Sequence, residues 1–367
     1  MQQPFIYLRA LRHADHTVFN VQEGQKTYWD NQFGTYIPFS SGQQVKRSML
    51  ESTMNTLGSA LAPVTFNYLI DKKVVKNDEE TENSDAKTLK PKEIWSPCDP
   101  SYPDQLLGGW MKAATGEITV KRRSPLSISA MRPLHPLLST LSKENATFDR
   151  SDTPDRHPVR VRDSSGNVLS DEEINDFLTA NKRTLSRRSW IPDLKRAGGL
   201  FVYDVALDLR TLFCVSLNQH EPELRKDTIE KLRAAGWVES KNIFGACLVC
   251  PKDEREKIIP ALAHGLIQWR ITSNQARTYS PMETLAVAIS DNANKLAALI
   301  RAKLKEGVDK PAAEPIVDNS TVIAGTSVFV APPCDGYIVG VHGTITALDD
   351  AEQELVTRLR AFDYEQQ

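Results

Sequence analysis

The residues with chemistry to offer are few and scattered along the chain. Cys247-x-x-Cys250 has the spacing of a zinc or redox pair, and His13-x-x-His16, with Asp15 between, that of a small metal site. The two cysteines lie in an apolar strand pattern, where residues three apart point to opposite faces. No second C-x-x-C completes a zinc tetrad. Core thiols are expected. The histidines sit in polar loop sequence with no evident further ligand. Asp204 and Asp208 share a strand face with Cα atoms about 13 Å apart, wider than the ~5–9.5 Å of paired catalytic carboxylates. Both are expected at an edge or a cap. No G-x-S-x-G, H-E-x-x-H, P-loop or G-x-G-x-x-G is present. No catalytic group, metal or cofactor is expected.

A binding signal is stronger at residues 39–50, FSSGQQVKRSML. Ser40 and Ser41 are good N-caps, and Gln43 and Gln44 lie three residues after each, the S-x-x-Q form of a capping box. Val45, Met49, Leu50, Met54, Leu57 and Leu61 recur at helical spacing. Lys46 and Arg47 therefore fall in the first turns, where each cation is disfavoured by ~0.3–1 kcal/mol unless an anion is near. Free backbone N–H groups, a glycine and two serines supply the rest of an anion site, and phosphate is the expected ligand. The ordinary alternative is a pair of solvated cations bridging to neighbours.

Further basic segments stand elsewhere. Lys121-Arg122-Arg123 forms a basic corner between strand pieces at 118–120 and 126–130. Residues 145–196 are poor in aliphatics. Between Lys182 and Arg196 they carry six cations, Arg187 and Arg188 among them, against one acid, Asp193, with Trp190 embedded. A basic hairpin or arm fits that composition. RITSNQARTY at 270–279 joins two arginines, an amide pair, three hydroxyl residues and an aromatic. Such groups hold phosphate and sugar while a ring stacks on a base.

These segments need a scaffold. The 367 residues, with net charge −2 and 40% hydrophobic content, suit one large or two modest globular domains. Near-neutral charge excludes a molecule basic all round. No apolar run reaches the roughly 18 residues of a membrane span, and no secretory signal opens the chain. An odd count of five cysteines suggests a reducing, cytoplasmic setting. The pattern predicts a strand at 5–12, a loop at 13–34, a helix at 41–62 and a strand at 64–70. A charged stretch without structure follows at 71–92. Beyond it come a strand at 199–209 extended through 213–217, a helix at 221–235, a strand at 243–250 and a helix at 254–266. The chain closes with a strand at 285–289, a helix at 292–305, a linker at 307–315, two short strands and a helix at 349–362. That order is the split βαβ, ferredoxin-like plan of an α+β protein, interrupted by long insertions.

At this point the chain resembles a family. A strand followed by S-S-G-Q-Q-V-K-R at a helix start is similar to the backbone subunit of type I CRISPR Cascade complexes, the Cas-seven or DevR-type RAMP proteins. RRSPLSISAM at 122–131, GLFVYDVALDL at 199–209 and the segment from Arg270 to Pro281 leading into ETLAVAIS are similar too. The resemblance implies a modified ferredoxin-like or RRM palm with large insertions, including a thumb hairpin. The palm would occupy 1–70 and 198–306, a charged insertion and finger 71–117, and finger and thumb insertions 118–197. A linker, strands and a helix would fill 307–367. It further implies a non-catalytic subunit that oligomerises along a guide crRNA and presents it to target DNA, beside other copies and other Cascade subunits. Ser41, Gln43, Lys46 and Arg47 would grip the RNA backbone, and Arg270, Asn274 and Arg277 would line the same groove. Arg122 and Arg123 at the basic corner, and Arg187 and Arg188 in the arm, would join them. Two other readings share these residues. One is an RNA-targeting RAMP subunit that cleaves with a loop aspartate, Asp15 or Asp30; the other is a small-molecule enzyme on a ferredoxin-like fold.

Overall fold

The computed structural model describes residues 3–19, 24–68, 93–113, 118–149, 158–272, 276, 278–319 and 323–365. The charged stretch 71–92, Asn274 and Arg277 lie outside them.

The chain opens with β1 (Phe5–Thr17), a hairpin of β2 (Thr27–Asp30) and β3 (Thr35–Pro38), and α1 (Gly42–Leu57). An insertion follows: β4 (Thr65–Asn67) pairs with β5 (Glu93–Trp95), and α2 (Pro103–Gly108) precedes the pair β6 (Trp110–Lys112) and β7 (Val120–Arg122). Then β8 (Leu126–Ile128), β9 (Arg132–Pro133) and β10 (Ser139–Asp149) line one edge of the long β11 (Arg188–Asp208), with α3 (Asp171–Ala180) between β10 and β11. A second insertion holds α4 (Leu209–Leu212), β12 (Cys214–Ser216), α5 (Lys226–Ala234), β13 (Val238–Asn242) and β14 (Gly245–Val249). The chain ends with α6 (Lys252–Ile267), β15 (Thr284–Ser290), α7 (Ala293–Leu299), β16 (Ile300–Leu304), β17 (Ala313–Val317), β18 (Thr326–Val330) and α8 (Ala347–Ala361).

Without the insertions, the main sheet runs β10-β11-β1-β15, every neighbour antiparallel, with β18 added at the far edge. α1 follows β1 and α6 follows β11. This is the split βαβ order read from the sequence: a mixed α+β protein with a ferredoxin-like sheet and large insertions.

Strand alternation explains why both faces of the sheet are covered. Ile6, Leu8 and Ala10, with Phe201, Tyr203, Val205 and Leu207, pack in one core with Val45 and Met49 of α1 and Ile259, Leu262 and Leu266 of α6. Leu11, Leu200 and Val202 turn to the other face and join Leu296, Leu299, Ile300 and Val317. All seven residues of β15 are buried, as a central strand enclosed on both faces requires. α1 and α6 approach closely because Gly265 faces α1: a Cβ there would sit 2.9 Å from the Met49 carbonyl.

Several boundaries depart from expectation. Residues 13–17 continue β1, and the segment read as a loop also contains β2 and the turn that leads into β3. α1 stops at a left-handed Gly58 (φ 68°), so Leu61 lies beyond the helix and is exposed. Residues 213–217 do not prolong β11. Asp208 caps α4, accepting from the Arg210 N–H at 3.2 Å, and β12 joins a separate sheet ordered β12-β14-β13. Residues 300–304 leave the expected helix to pair with residues 313–317, which buries Ile300 against Val317 and makes a strand within the expected linker. Asp204 is not at an edge: it lies mid-sheet, bidentate with Arg9 at 2.6 and 3.2 Å and bridged to Arg132 at 3.1 Å. Cys247 and Cys250 are buried, and burial pushes the Cys250 thiol up to about 12.

Candidate nucleic-acid interface

The entry to α1 is pinned by backbone. Ser40 and Met131 exchange hydrogen bonds in both directions, at 2.9 and 3.1 Å. Gly42 packs so tightly that a Cβ would lie 3.2 Å from the Ile128 carbonyl. Two stretches far apart in sequence, 40–47 and 122–131, thus meet at one edge of the sheet. Ser40 has its hydroxyl buried and cannot serve an external anion. Ser41 is the N-cap, its Oγ accepting from the Gln44 N–H at 3.3 Å. Gln44 does not close the capping box; its amide donates to Ser48 Oγ instead. The N–H groups of Gly42 and Gln43 have no acceptor among the described residues.

The two cations of this turn divide. Arg47 is exposed beside Gln43, and its Nε donates to Glu51 Oε1 at 2.7 Å, an i,i+4 surface pair worth only about 0.3–0.5 kcal/mol. Lys46 turns inward and donates to the Gly108 carbonyl at 3.0 Å, at the C-terminal end of α2. Burial first, and the nearby Arg122 charge second, lower the Lys46 pKa to about 8. The unfolded chain holds this proton up to about 10.5, so the group lowers stability at neutral pH. The deficit is relieved as pH rises from about 8 towards 10.5. Lys46→Met should therefore help most at neutral pH, with its advantage over wild type shrinking across that window in urea unfolding. A pH-independent difference would mean that Lys46 is not desolvated.

The basic corner also divides, because β7 alternates. Lys121 and Arg123 are exposed, whereas Arg122 is 3% exposed. The Arg122 guanidinium donates to the carbonyls of Leu106, Thr211 and Cys214 and lies 3.9 Å from Glu223. Arg122 is a core residue, out of reach of any RNA, which corrects its place among the expected contacts.

β10 and β11 keep pairing past the end of β1, from Asp149↔Arg188 to Ser139↔Gly199, so the basic segment forms a two-stranded extension. Arg187 is exposed just before β11; the side chain of Arg188 lies outside the described residues. At the end of the sheet, residues 278–283 close on β1. Thr17 Oγ1 donates to the Thr278 carbonyl at 2.6 Å, and the Asp15 N–H donates to Ser280 Oγ at 3.2 Å. Arg270 is half-buried, donating to the carbonyls of Gln268 and Trp269, and burial lowers its pKa. Tyr279 stands 75% exposed beside it. The two histidines part: His13 stacks on Tyr337 and bonds Glu283 at 2.9 Å, while His16, at a bulge with φ 45°, reaches Ser142.

The sequence reading passed over Trp29 and Tyr36. They face each other across β2–β3, both about half exposed, with Lys195 of β11 over the Tyr36 ring. Their signal is present in TYWD-NQFG-TYIP, two aromatic β runs around a turn.

No family model matches the chain, and no curated protein does. Among solved structures the chain is similar to a subunit of a "CRISPR RNA-guided surveillance complex, pre-nicking", with 12% identity over 97% of this chain and 88% of that one and a TM-score of 0.41. It is also similar to a chain of a "CRISPR RNA-guided surveillance complex", with 11% identity over 97% and 84% and a TM-score of 0.35. Among the described residues, no helix is long and apolar enough to cross a membrane.

Proposed function

We propose that this protein is a non-catalytic, guide-RNA-binding backbone subunit of a type I CRISPR Cascade complex, lining up with further copies along the crRNA beside other Cascade subunits. In that role it holds the guide so that its bases can pair with target DNA. One observation carries the reading. The start of α1, with Gln43 and Arg47 exposed and two N–H groups that have no acceptor among the described residues, is bonded to the segment that leads through β9 into β10, the first strand of the basic extension. A phosphate-seeking helix start and a basic arm therefore adjoin along one edge of β11, a track suited to a polyanion. In this reading Arg187, Arg123 and Arg270 would extend that track, and a localised track is compatible with a net charge of only −2.

The test is retention of co-purifying RNA. Gln43→Ala combined with Arg47→Ala should weaken it, and the slope of log affinity against log salt should fall by about one, the share of one phosphate contact. Circular dichroism should show the helix intact. Full RNA loading with an unchanged salt slope would sink the proposed grip. Complementary RNA and Mg²⁺ added to the assembled complex test the non-catalytic part. Regular cleavage that disappears in Asp15→Ala or Asp30→Ala would replace it with the RNA-cleaving reading.

A further inference from the structure

The β2–β3 hairpin exposes large rings where a folded domain ordinarily hides them. Trp29 and Tyr36 are cross-strand partners with ring centroids 5.0 Å apart at 68°, and they are 50% and 53% exposed. The Lys195 ammonium lies 5.3 Å from the Tyr36 ring centroid. Lys195 sits directly opposite Lys143 in the β10–β11 ladder, so two like charges share one face beside the rings. By the pleat, Tyr28 and the acidic Asp30 turn to the opposite face of the hairpin, where Tyr28 meets the Phe39 ring. The aromatic face thus has Lys195 beside it, with the hairpin's acid directed away.

We infer that Trp29 and Tyr36 form a stacking platform for an unpaired base of single-stranded nucleic acid, with Lys195 and Lys143 taking the adjoining phosphate. The combination suits this ligand class. Exposed rings beside a lysine offer a surface for a base's π-face and a cation for its backbone charge, and the outcomes below separate this ligand from a protein partner. The platform lies at the root of the β10–β11 extension, where Gly198 and Gly199 of β11 pair with Thr140 and Ser139. A strand running from the α1 start towards the arm would cross it. This inference rests on the RNA-binding reading and adds to it a base contact that the phosphate-seeking residues do not supply.

The experiment is a titration of the full chain with single-stranded oligouridylate, following affinity and tryptophan fluorescence at several salt concentrations. Trp110, Trp237 and Trp269 are buried, so the quenching reports chiefly on exposed tryptophan such as Trp29. Trp29→Ala should lower affinity about 5- to 150-fold, the effect of losing one stacked base, with the salt slope unchanged. Trp29→Phe should keep most of the affinity and lose the quenching. Lys195→Ala should lower the slope by about one. If Trp29→Ala binds like wild type while Gln43→Ala with Arg47→Ala weakens binding, the platform falls and the RNA reading stands. If the wild-type protein does not bind the oligonucleotide, both fall. If Trp29→Ala lowers the oligomer mass in sedimentation while affinity per protomer is kept, the patch is an interface between copies and the inference is overturned.

Discussion

Arg122→Ala should destabilise the protein by on the order of 3–5 kcal/mol, the scale of removing one partner from a buried charged network. Three carbonyls, those of Leu106, Thr211 and Cys214, lose their donor together. They belong to α2, to α4 and to β12, so one guanidinium ties the first insertion to the second. Glu223, itself largely enclosed, loses its nearest positive charge at 3.9 Å. Burial lowers the Arg122 pKa and raises that of Glu223, so for both groups desolvation outweighs their mutual attraction. The carbonyl bonds, more than the loose ion pair, are then what keep the charge inside. Arg122→Met should be nearly as damaging, because its apolar stem leaves the same carbonyls unsatisfied. Glu223→Gln alone should be milder, and the double variant should cost less than the two losses summed. Urea unfolding followed by circular dichroism measures all four. A loss below about 1 kcal/mol for Arg122→Ala would contradict the bonding described.

Gly199→Ala should cost on the order of 2–5 kcal/mol, combining backbone strain with overpacking. Its φ of 120° disfavours any side chain, and a Cβ would fall 2.3 Å from the Leu138 carbonyl and 2.7 Å from Ser139 Cα. Both neighbours are backbone and cannot turn aside. Gly199 pairs with Ser139 on one side and Ala14 on the other, so relief means peeling β10 from β11 at the root of the arm. Gly245 is the control, since it has a φ of 123° but nothing within 4 Å of an added Cβ. Gly245→Ala carries the strain alone and should lose visibly less. Hydrogen exchange should show faster amides in β10 for Gly199→Ala only. Equal losses in the two variants would remove the steric part of the argument.

The regular elements could be read from the sequence where apolar β runs fill the faces of the sheet. LFVYDVALDL sends its odd-numbered residues from Phe201 to Leu207 into the core beneath the helices, and β15 is buried throughout. Pairing between distant segments left no such mark. Residues 300–304 have helix formers on their N-terminal side, and only their partner at 313–317 makes them a strand. The helix start itself was legible, with Ser41 as its N-cap and Gln43 and Arg47 exposed on its first turns. The surroundings of the neighbouring cations, Lys46 and Arg122, were not, because composition counts a cation without saying which carbonyls surround it. Arg12 makes the same point. Read as the end of a strand, it lies wholly buried under α6, donates to the carbonyls of Ile267 and Trp269 and stacks 4.1 Å over the Trp269 ring, and burial lowers its pKa to about 10.

β11 runs unbroken for 21 residues, half of it in the central sheet and half in the extension. A separate domain on a linker would swing, but a strand shared in this way acts as a cantilever clamped between β1 and β8–β9. Load applied at the arm's far end is carried as twist into the main core through the closely packed Gly198-Gly199 step. In a row of copies, such a beam would fix the spacing from one subunit to the next by its length rather than by its sequence.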